Sequence, residues 1–273
     1  MLAMLMMNAA LAQDVDTVDF KETEKAIEEA EAPEADLSAE VGGAMTTGNT
    51  DFWTVKGTIN GGYRWEANKV TLTAMGLTGR NRSDSDGDGI LSEDERLTDR
   101  QLNALKFDSN LRYDRFLGPK ASVYAMGGAY IDTFAGVEYR LTEQAGYSRK
   151  LVDSDTTKLM VELGAAVIQE QRVIPVDAAE DFVDYETIFA ARALIGFSHT
   201  FNENVNFSET IEAYENVLSP EDLRLINRAA LTMQLSDNLA LKLSNDLYYD
   251  NTPVEGFRKL DQTTMLSVVA SIL

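Results

Sequence analysis

From Leu37 to Leu273 apolar residues recur at every second position, and this period constrains the fold more than any other feature of the sequence. In the stretch DFWTVKGTINGGYRWE, residues 51–66, Trp53, Val55 and Ile59 share one face, while lysine, threonine and asparagine side chains share the other. A β-strand turns successive side chains to opposite faces, whereas an amphipathic helix repeats about every 3.6 residues. The chain is therefore predicted to be all-β, with one apolar and one polar face on each strand.

We count about twelve alternating segments of roughly 10 to 16 residues, longer than ordinary strands and sufficient to cross a bilayer at a tilt. Their approximate limits are 37–47, 51–65, 68–80, 98–115, 119–132, 136–150, 155–170, 184–200, 203–217, 222–236, 238–250 and 259–273. Aromatic residues on the apolar face tend to fall near segment ends, where the girdles of membrane barrels lie; they are Trp53, Tyr63, Trp65, Tyr113, Tyr139, Tyr147, Phe189, Phe197 and Tyr249. We predict an antiparallel transmembrane β-barrel of about twelve strands. A soluble β-sandwich is the alternative, because its strands alternate as well.

The connections between these segments alternate in length. Those after the second, fourth, sixth, eighth and tenth segments are short, with the sequences EAN, LGPK, VDSD, NEN and SDN. The others are mostly longer. In outer-membrane barrels the short turns face the periplasm and the long loops face outside. We therefore expect both termini in the periplasm and the long loops at the surface of a Gram-negative bacterium.

One long connection contains DSDGDGILSEDE, residues 84–95, which matches the calcium loop of EF-hands at every position. Ca²⁺ takes about six to eight oxygen ligands, and the glycine at the sixth position permits the sharp turn. We expect oxygens from three aspartates, one main-chain carbonyl, a serine directly or through water, and a bidentate glutamate: Asp84, Asp86, Asp88, Ile90, Ser92 and Glu95. A sensor usually pairs two such loops, so a single EF-hand-like loop indicates a structural Ca²⁺ site. The alternative is an acidic, solvated loop with accidental spacing.

The first 36 residues differ in composition from the rest of the chain. The run MLAMLMMNAALAQ is typical of the h-region and cleavage site of a secretory signal without its charged n-region, so we expect residues 1–12 to be a truncated signal peptide; a short buried helix is the alternative. Residues 14–40 contain eleven acidic and two basic residues. We expect residues 13–36 to form an acidic periplasmic arm with one short helix, which is either simply solvated or binds a periplasmic partner, and residues 37–273 to form the barrel.

Composition excludes several classes of protein. A formal net charge of -21, from 24 basic and 45 acidic residues, argues against nucleic acid as a partner. No apolar run reaches about 18 residues, which excludes a helical membrane protein, and the lack of cysteine excludes a disulfide framework. The partners we expect are outer-membrane lipid and lipopolysaccharide, with the barrel assembly machinery during biogenesis.

Several short patches resemble the DUF481 family of salt-induced outer-membrane proteins, which includes the YdiY-type proteins of Gram-negative bacteria. The resemblance covers roughly Leu37 to Leu273 and rests on TTGNTD at 46–51, YDRF at 113–116, and the stretches MGGAYIDTF, GVEYRL, LMVELGAAVIQEQR, LSDNLALKLS and NTPVEGFRKLDQTT. The chain departs from the usual pattern in ending with Ser-Ile-Leu, where outer-membrane barrels usually end in an aromatic residue. The 84–95 loop is a second departure. The resemblance implies a membrane barrel and supplies no molecular function.

Charged residues of both signs are predicted to face the lumen: Lys56, Arg64, Lys106, Asp108, Arg112, Glu138, Arg140, Glu162, Glu170, Arg172, Arg192, Arg224, Arg228, Lys242 and Asp246. They could line a narrow channel for ions or small solutes, or they could close the lumen by cross-strand ion pairs and leave a structural or surface-interaction barrel. Both hypotheses are non-enzymatic, and we predict no catalytic residues.

A calcium-dependent outer-membrane phospholipase is the enzymatic alternative, because such enzymes are barrels of similar size that use a Ser and His pair. His199 is the only histidine in the chain. By alternation it points outward near a strand end, and Ser198 points to the opposite face. These two residues therefore cannot form the pair.

Overall fold

The computed structural model describes residues 34–46, 52–81, 101–174, 182–253 and 258–272, which form a closed antiparallel barrel of twelve strands. The strands are β1 Glu34–Thr46, β2 Phe52–Trp65, β3 Asn68–Asn81, β4 Gln101–Gly118, β5 Ala121–Asp132, β6 Val137–Asp153, β7 Thr157–Arg172, β8 Tyr185–Asn202, β9 Val205–Asn216, β10 Leu223–Ser236, β11 Leu239–Asp250 and β12 Leu260–Ser271. Each strand pairs with its neighbours in sequence, and β12 pairs with β1. The predicted strand number and antiparallel order are confirmed, with every strand boundary within three residues of its predicted position.

The barrel wall begins earlier than predicted. Residues 34–36, which we assigned to the acidic arm, belong to β1. Asp36 lies beside Gly62 in the register with β2, and its carboxylate is 3.9 Å from the Lys69 ammonium. Strand pairing and this ion pair therefore hold residues 34–36 in the barrel wall, although their acidic composition alone indicates an arm. Residues 1–33, which include the predicted signal and most of the arm, lie outside the described residues.

The two ends of the barrel differ in their connections, as the sequence predicts. At the turn end, two or three residues join β2 to β3, β4 to β5, β6 to β7, β8 to β9 and β10 to β11. At the loop end, the connections are longer and reach nineteen residues between β3 and β4. A single 3₁₀ turn, Thr133–Ala135, occupies the connection from β5 to β6, and Gly136 ends it with a φ of 83°, where a glycine is favoured. Within the described part of the chain, no helix is long and apolar enough to cross a membrane.

The two faces of the wall have opposite chemistry, and the apolar face is the outer one. Large apolar side chains such as Val41, Ile59 and Leu163 are exposed on the outside, while lysine, arginine and glutamate side chains are buried inside. A large continuous apolar surface on a monomer marks contact with lipid or another protein. The aromatic residues Tyr63 and Trp65 stack with ring centroids 5.6 Å apart near the turn end, as in an interfacial girdle.

Among the described residues, the shortest strand pairing is the seam between β1 and β12. It has six residue pairs, from Ser38–Ser271 to Gly43–Leu266, whereas every other pair of neighbouring strands has at least eleven. At the turn end the Ile272 N–H extends the seam by donating to the Leu37 carbonyl at 2.9 Å. The barrel closes, but among the described strands this seam has the fewest paired residues.

Candidate functional site

A buried glutamate joins two arginines in the middle of the lumen. Glu162 on β7 accepts a hydrogen bond from Arg112 on β4 and another from Arg192 on β8, with donor to acceptor distances of 2.7 Å in each case. The side chains of Glu162 and Arg192 have no exposed surface. A carboxylate shielded from water in this way is stabilised only if its oxygens find cationic or hydrogen-bonding partners, and here both do.

The same network continues along the wall in both directions. Arg112 donates from Nε to Asp114 at 2.8 Å, and Arg192 donates to Glu212 on β9. Together with Tyr124, the residues Arg112, Asp114, Glu162, Arg192 and Glu212 form what we call the mid-lumen layer. Its members come from β4, β5, β7, β8 and β9, so nearly half of the strands contribute to one charged network.

Tyr124 on β5 lies at the centre of the mid-lumen layer. Its hydroxyl accepts a hydrogen bond from Arg192 at 2.6 Å, and the Arg112 guanidinium carbon lies 4.2 Å from its ring centroid. The ring reaches this position across two inward-facing glycines. A Cβ atom at Gly146 or Gly164 would stand 2.6 Å or 2.8 Å from the Tyr124 hydroxyl oxygen. The glycines therefore leave the room that the tyrosine occupies.

Ion pairs also occupy the opposite wall of the lumen. Lys242 on β11 donates to Glu40 on β1 at 3.1 Å, and both side chains are only 3% exposed. Lys56 on β2 lies 3.6 Å from Asp246 on β11. The inward charged side chains named on both walls are buried, so at this level they expose little surface to water.

A cavity of about 130 Å³ lies on the loop-end side of the mid-lumen layer. Glu170 on its wall accepts hydrogen bonds from three arginines: Arg140 at 2.6 Å, Arg172 at 3.1 Å and Arg224 at 2.8 Å. The cavity is thus bounded by paired charges, and Tyr214 and Tyr248 add aromatic surface to its lining.

Fourteen of the fifteen charges predicted for the lumen have buried or half-buried side chains. The exception is Glu138, which is exposed beside a bulge in the pairing of β6 with β7, between Val137 and Tyr139. Of the mid-lumen layer, sequence reasoning missed Asp114, Tyr124 and Glu212, and it also missed the two glycines below the tyrosine ring. An inward glycine on each of two neighbouring strands, next to a strand with an inward tyrosine, is the signal that could have found them.

The histidine lies on the outer face, as predicted. His199 Nδ1 is 2.9 Å from the Thr157 hydroxyl, and its ring meets the edge of Phe201 with centroids 4.8 Å apart. Ser198 faces the lumen, where its hydroxyl accepts a hydrogen bond from Asn206 at 3.3 Å. The predicted separation of Ser198 from His199 is therefore observed.

The six predicted calcium ligands lie outside the described residues, because the structure does not describe 82–100. The ends of this connection are close together, since Asn81 of β3 pairs with Gln101 of β4. Across the described ranges, no group of three or more histidine, aspartate or glutamate side chains is arranged to hold a metal ion.

Residues 39–272 match the sequence family described as Protein of unknown function, DUF481. The chain belongs to the DUF481 family. No curated protein matches this DUF481 protein in sequence.

Solved structures similar to this DUF481 protein include two porins and an outer membrane channel. The NanC porin in its rhombohedral crystal form is 10% identical, with a TM-score of 0.50 over 87% of this chain and 100% of the porin chain. The COG4313 outer membrane channel from Pseudomonas putida F1 is 13% identical, with a TM-score of 0.47 over 95% of this chain and 100% of that one. The KdgM porin is 8% identical, with a TM-score of 0.42 over 87% and 99% of the two chains. At 10% identity the likeness to the NanC porin concerns the fold alone: this DUF481 protein is a twelve-stranded barrel whose fold resembles that of an outer-membrane porin.

Proposed function

We propose that this protein is a narrow outer-membrane channel for ions or small solutes, and that the mid-lumen layer closes it at rest. One observation carries the proposal: Glu162 and Arg192, in the middle of the lumen, have fully buried side chains and pair with each other. Solute could pass only if this layer rearranged. The channel would therefore be gated by side chains of the wall.

The chemistry of the layer favours a gate over a permanent plug. A pair of buried charges costs desolvation energy, and well-packed apolar residues of similar volume often stabilise a protein as much or more. Charged groups that share partners can instead exchange them. Arg228 lies 3.9 Å from both Glu212 and Asp108, so it is placed to replace Arg192 as the partner of Glu212. Such an exchange would move Arg192 while Glu212 kept a cation.

A plugged structural or surface-interaction barrel is the second candidate. The observation in its favour is the same burial, because the ion pairs on the opposite wall, Lys242–Glu40 among them, are as well shielded as the mid-lumen layer. The two candidates differ in one measurable property. A gated channel conducts when the layer is weakened, and a plugged barrel does not.

The test is potassium efflux from liposomes that contain the wild-type protein or the Glu162→Ala variant. We expect efflux to rise severalfold in the variant, because Arg112 and Arg192 both lose the carboxylate between them. Glu186→Ala is the matched control: Glu186 pairs with Arg172 at 2.7 Å near the loop end, and its side chain is 35% exposed. Equal efflux from wild type and Glu162→Ala, with both barrels folded, would contradict the channel and favour the plugged barrel.

The outer membrane of a Gram-negative bacterium is the proposed location, with the loop end outside the cell. The support is the apolar outer face together with the short connections at one end and the long ones at the other. In this orientation the 84–95 connection faces the external medium, where Ca²⁺ is abundant.

The proposed role of that connection is to bind Ca²⁺ through Asp84, Asp86, Asp88, Ile90, Ser92 and Glu95. The ion would hold the long loop in one conformation and could contact anionic lipopolysaccharide. We expect Asp84→Ala combined with Glu95→Ala to abolish Ca²⁺ binding in calorimetry and to leave the heat-stable barrel intact. Undiminished Ca²⁺ binding by this variant would contradict the assigned ligands.

A phospholipase has less support, because the histidine contacts a threonine on the lipid-facing wall and not a serine. Its test is release of fatty acid from phospholipid in the presence of Ca²⁺. We expect no release. Release that His199→Ala removes would establish the enzyme in place of the channel.

A further inference from the structure

Two tyrosines from opposite walls meet near the loop end of the lumen. Tyr130 is on β5 and Tyr248 on β11, six strands away in a ring of twelve, yet their ring centroids are 6.3 Å apart. Lys106 on β4 places its ammonium 3.9 Å from the Tyr248 centroid and 5.0 Å from the Tyr130 centroid. The two rings form an aromatic cage around the Lys106 ammonium, and the guanidinium carbons of Arg140 and Arg228 lie 5.2 Å from the Tyr130 centroid and 5.6 Å from the Tyr248 centroid.

The Lys106 ammonium is held in this cage by few other groups. Within the described ranges its ion-pair partner is Asp132, at 3.9 Å, the long limit for such a contact. Tyr130 donates a hydrogen bond from its hydroxyl to the same Asp132 carboxylate at 3.2 Å. An ammonium ion over the face of a tyrosine is attracted by the ring, more strongly where water is excluded. The ring faces thus contribute to holding Lys106, and another ammonium in the same position would gain the same type of interaction.

We propose that the Tyr130–Tyr248 cage is a binding site for the ammonium group of an organic cation, and that Lys106 occupies it when no such solute is present. This inference rests on the proposed channel function and names the class of solute that would enter it. On binding, the solute ammonium would replace Lys106 between the two rings. Lys106 would then swing towards the carboxylates of Asp132 and Asp108.

The negative faces of the two rings favour a cation over an anion, whereas the charged groups around them are of both signs. Two guanidinium groups of the adjoining cavity, Arg140 and Arg224, share the Glu170 carboxylate, and Arg228 donates to the Tyr248 hydroxyl at 3.1 Å. In sequence, the two longest connections at this end are acidic: residues 82–100 contain seven acidic and three basic residues, and residues 173–184 contain four acidic residues and no basic one, whereas residues 251–259 contain one acidic and two basic residues. A concentration of one sign of charge at a mouth raises the local concentration of the opposite ion.

Calorimetry with tetramethylammonium chloride tests this site on the full-length protein in detergent, at constant ionic strength. The Lys106→Met variant removes the positive charge from the cage and keeps the length of the side chain. Because it removes the competing internal cation, we expect it to bind tetramethylammonium about tenfold more tightly than wild type does. Adding Tyr248→Leu to Lys106→Met should remove the gain.

Lys158→Met is the matched control, because Lys158 lies at the turn end, 3.4 Å from Asp153 and away from the cage. It should keep wild-type affinity. Equal affinities of wild type and Lys106→Met, or a gain that survives Tyr248→Leu, would overturn the proposal. If Lys106→Met fails to give the heat-stable barrel, Lys106→Gln supports the same comparison.

Binding and transport are separable in this design. Tetramethylammonium binding without potassium efflux in any variant would leave the site standing and contradict the channel. Efflux from Glu162→Ala without tighter binding by Lys106→Met would leave the channel standing and overturn the site.

Discussion

Single residues decide how the lumen is filled, and Tyr124 shows this most clearly. Its ring needs two inward glycines on the next two strands, because any Cβ there would touch its hydroxyl. Glycine weakens a strand, so a glycine at both positions needs a reason. The Tyr124 side chain that covers both positions provides it. The alternation of the sequence predicts that Tyr124 faces inward, but it cannot predict that the ring lies along the wall, since that depends on the size of side chains two strands away.

The first prediction concerns Gly146. A Cβ there would also stand 2.5 Å from the Leu163 carbonyl oxygen, so Gly146→Ala should displace Tyr124 and lower the free energy of unfolding by about 1 to 3 kcal/mol, as overpacking does. Gly127→Ala is the control, because its Cβ would meet no atom within 4 Å. Urea unfolding in lipid or detergent measures both. If Gly146→Ala costs no more than Gly127→Ala, the account of Tyr124 is wrong.

Glu143 provides a second prediction at the residue scale. It is exposed on the outer face of β6, midway between Tyr139 and Tyr147 of the same strand, and no described residue forms an ion pair or hydrogen bond with it. A carboxylate on the lipid face near the bilayer centre is destabilising, so Glu143→Leu should raise the unfolding free energy in bilayers by about 1 to 2 kcal/mol. Glu138→Leu, near the loop end of the same strand, should change it less. A loss of stability in Glu143→Leu would indicate that the carboxylate has a partner in the membrane.

At the scale of elements, the sequence predicts the strands well and their irregularities poorly. Strand order and limits follow from alternation and connection length, since a one-residue slip would turn every apolar side chain inward. The bulge between Val137 and Tyr139 breaks this rule locally and leaves Glu138 exposed. The start of β1 at Glu34 was missed for another reason: acidic composition indicated an arm, while pairing with β2 outweighs composition.

The short seam between β1 and β12 gives a prediction for unfolding. With six residue pairs it should separate first, so a covalent link across it should slow unfolding more than the same link elsewhere. The chain has no native cysteine, which makes a Val41→Cys and Val268→Cys pair specific for this seam. The control is a Leu231→Cys and Leu243→Cys pair between β10 and β11. The measurement compares the unfolding rates of the oxidised and reduced forms of each variant in detergent. Equal slowing of unfolding by the two disulfides would contradict an early separation of the seam.

At the scale of the whole molecule, the apolar outer face suits the barrel to lipid, and the charged inner face determines whether solute can pass. Composition and alternation establish the apolar outside and the charged inside. Whether the inside is open depends on which charges meet across the lumen, and this involves residues far apart in sequence, such as Lys242 and Glu40. The sequence therefore left an open pore and a closed lumen equally supported, and the side-chain contacts across the lumen are the observations that bear on the choice.

The prediction of calcium binding concerns one of the long loops. The match of residues 84–95 to a calcium loop is a prediction from spacing alone. It is independent of the lumen, since loss of Ca²⁺ binding would leave the mid-lumen layer in place.

The most direct test of the central claim is single-channel recording in planar bilayers, comparing wild type with Glu162→Ala. We predict that wild type is closed for most of the record with brief openings, and that the variant stays open much longer, because the carboxylate that joins Arg112 to Arg192 is missing. A steady open conductance in wild type, or the same silence from both folded proteins, would contradict a lumen gated by this layer.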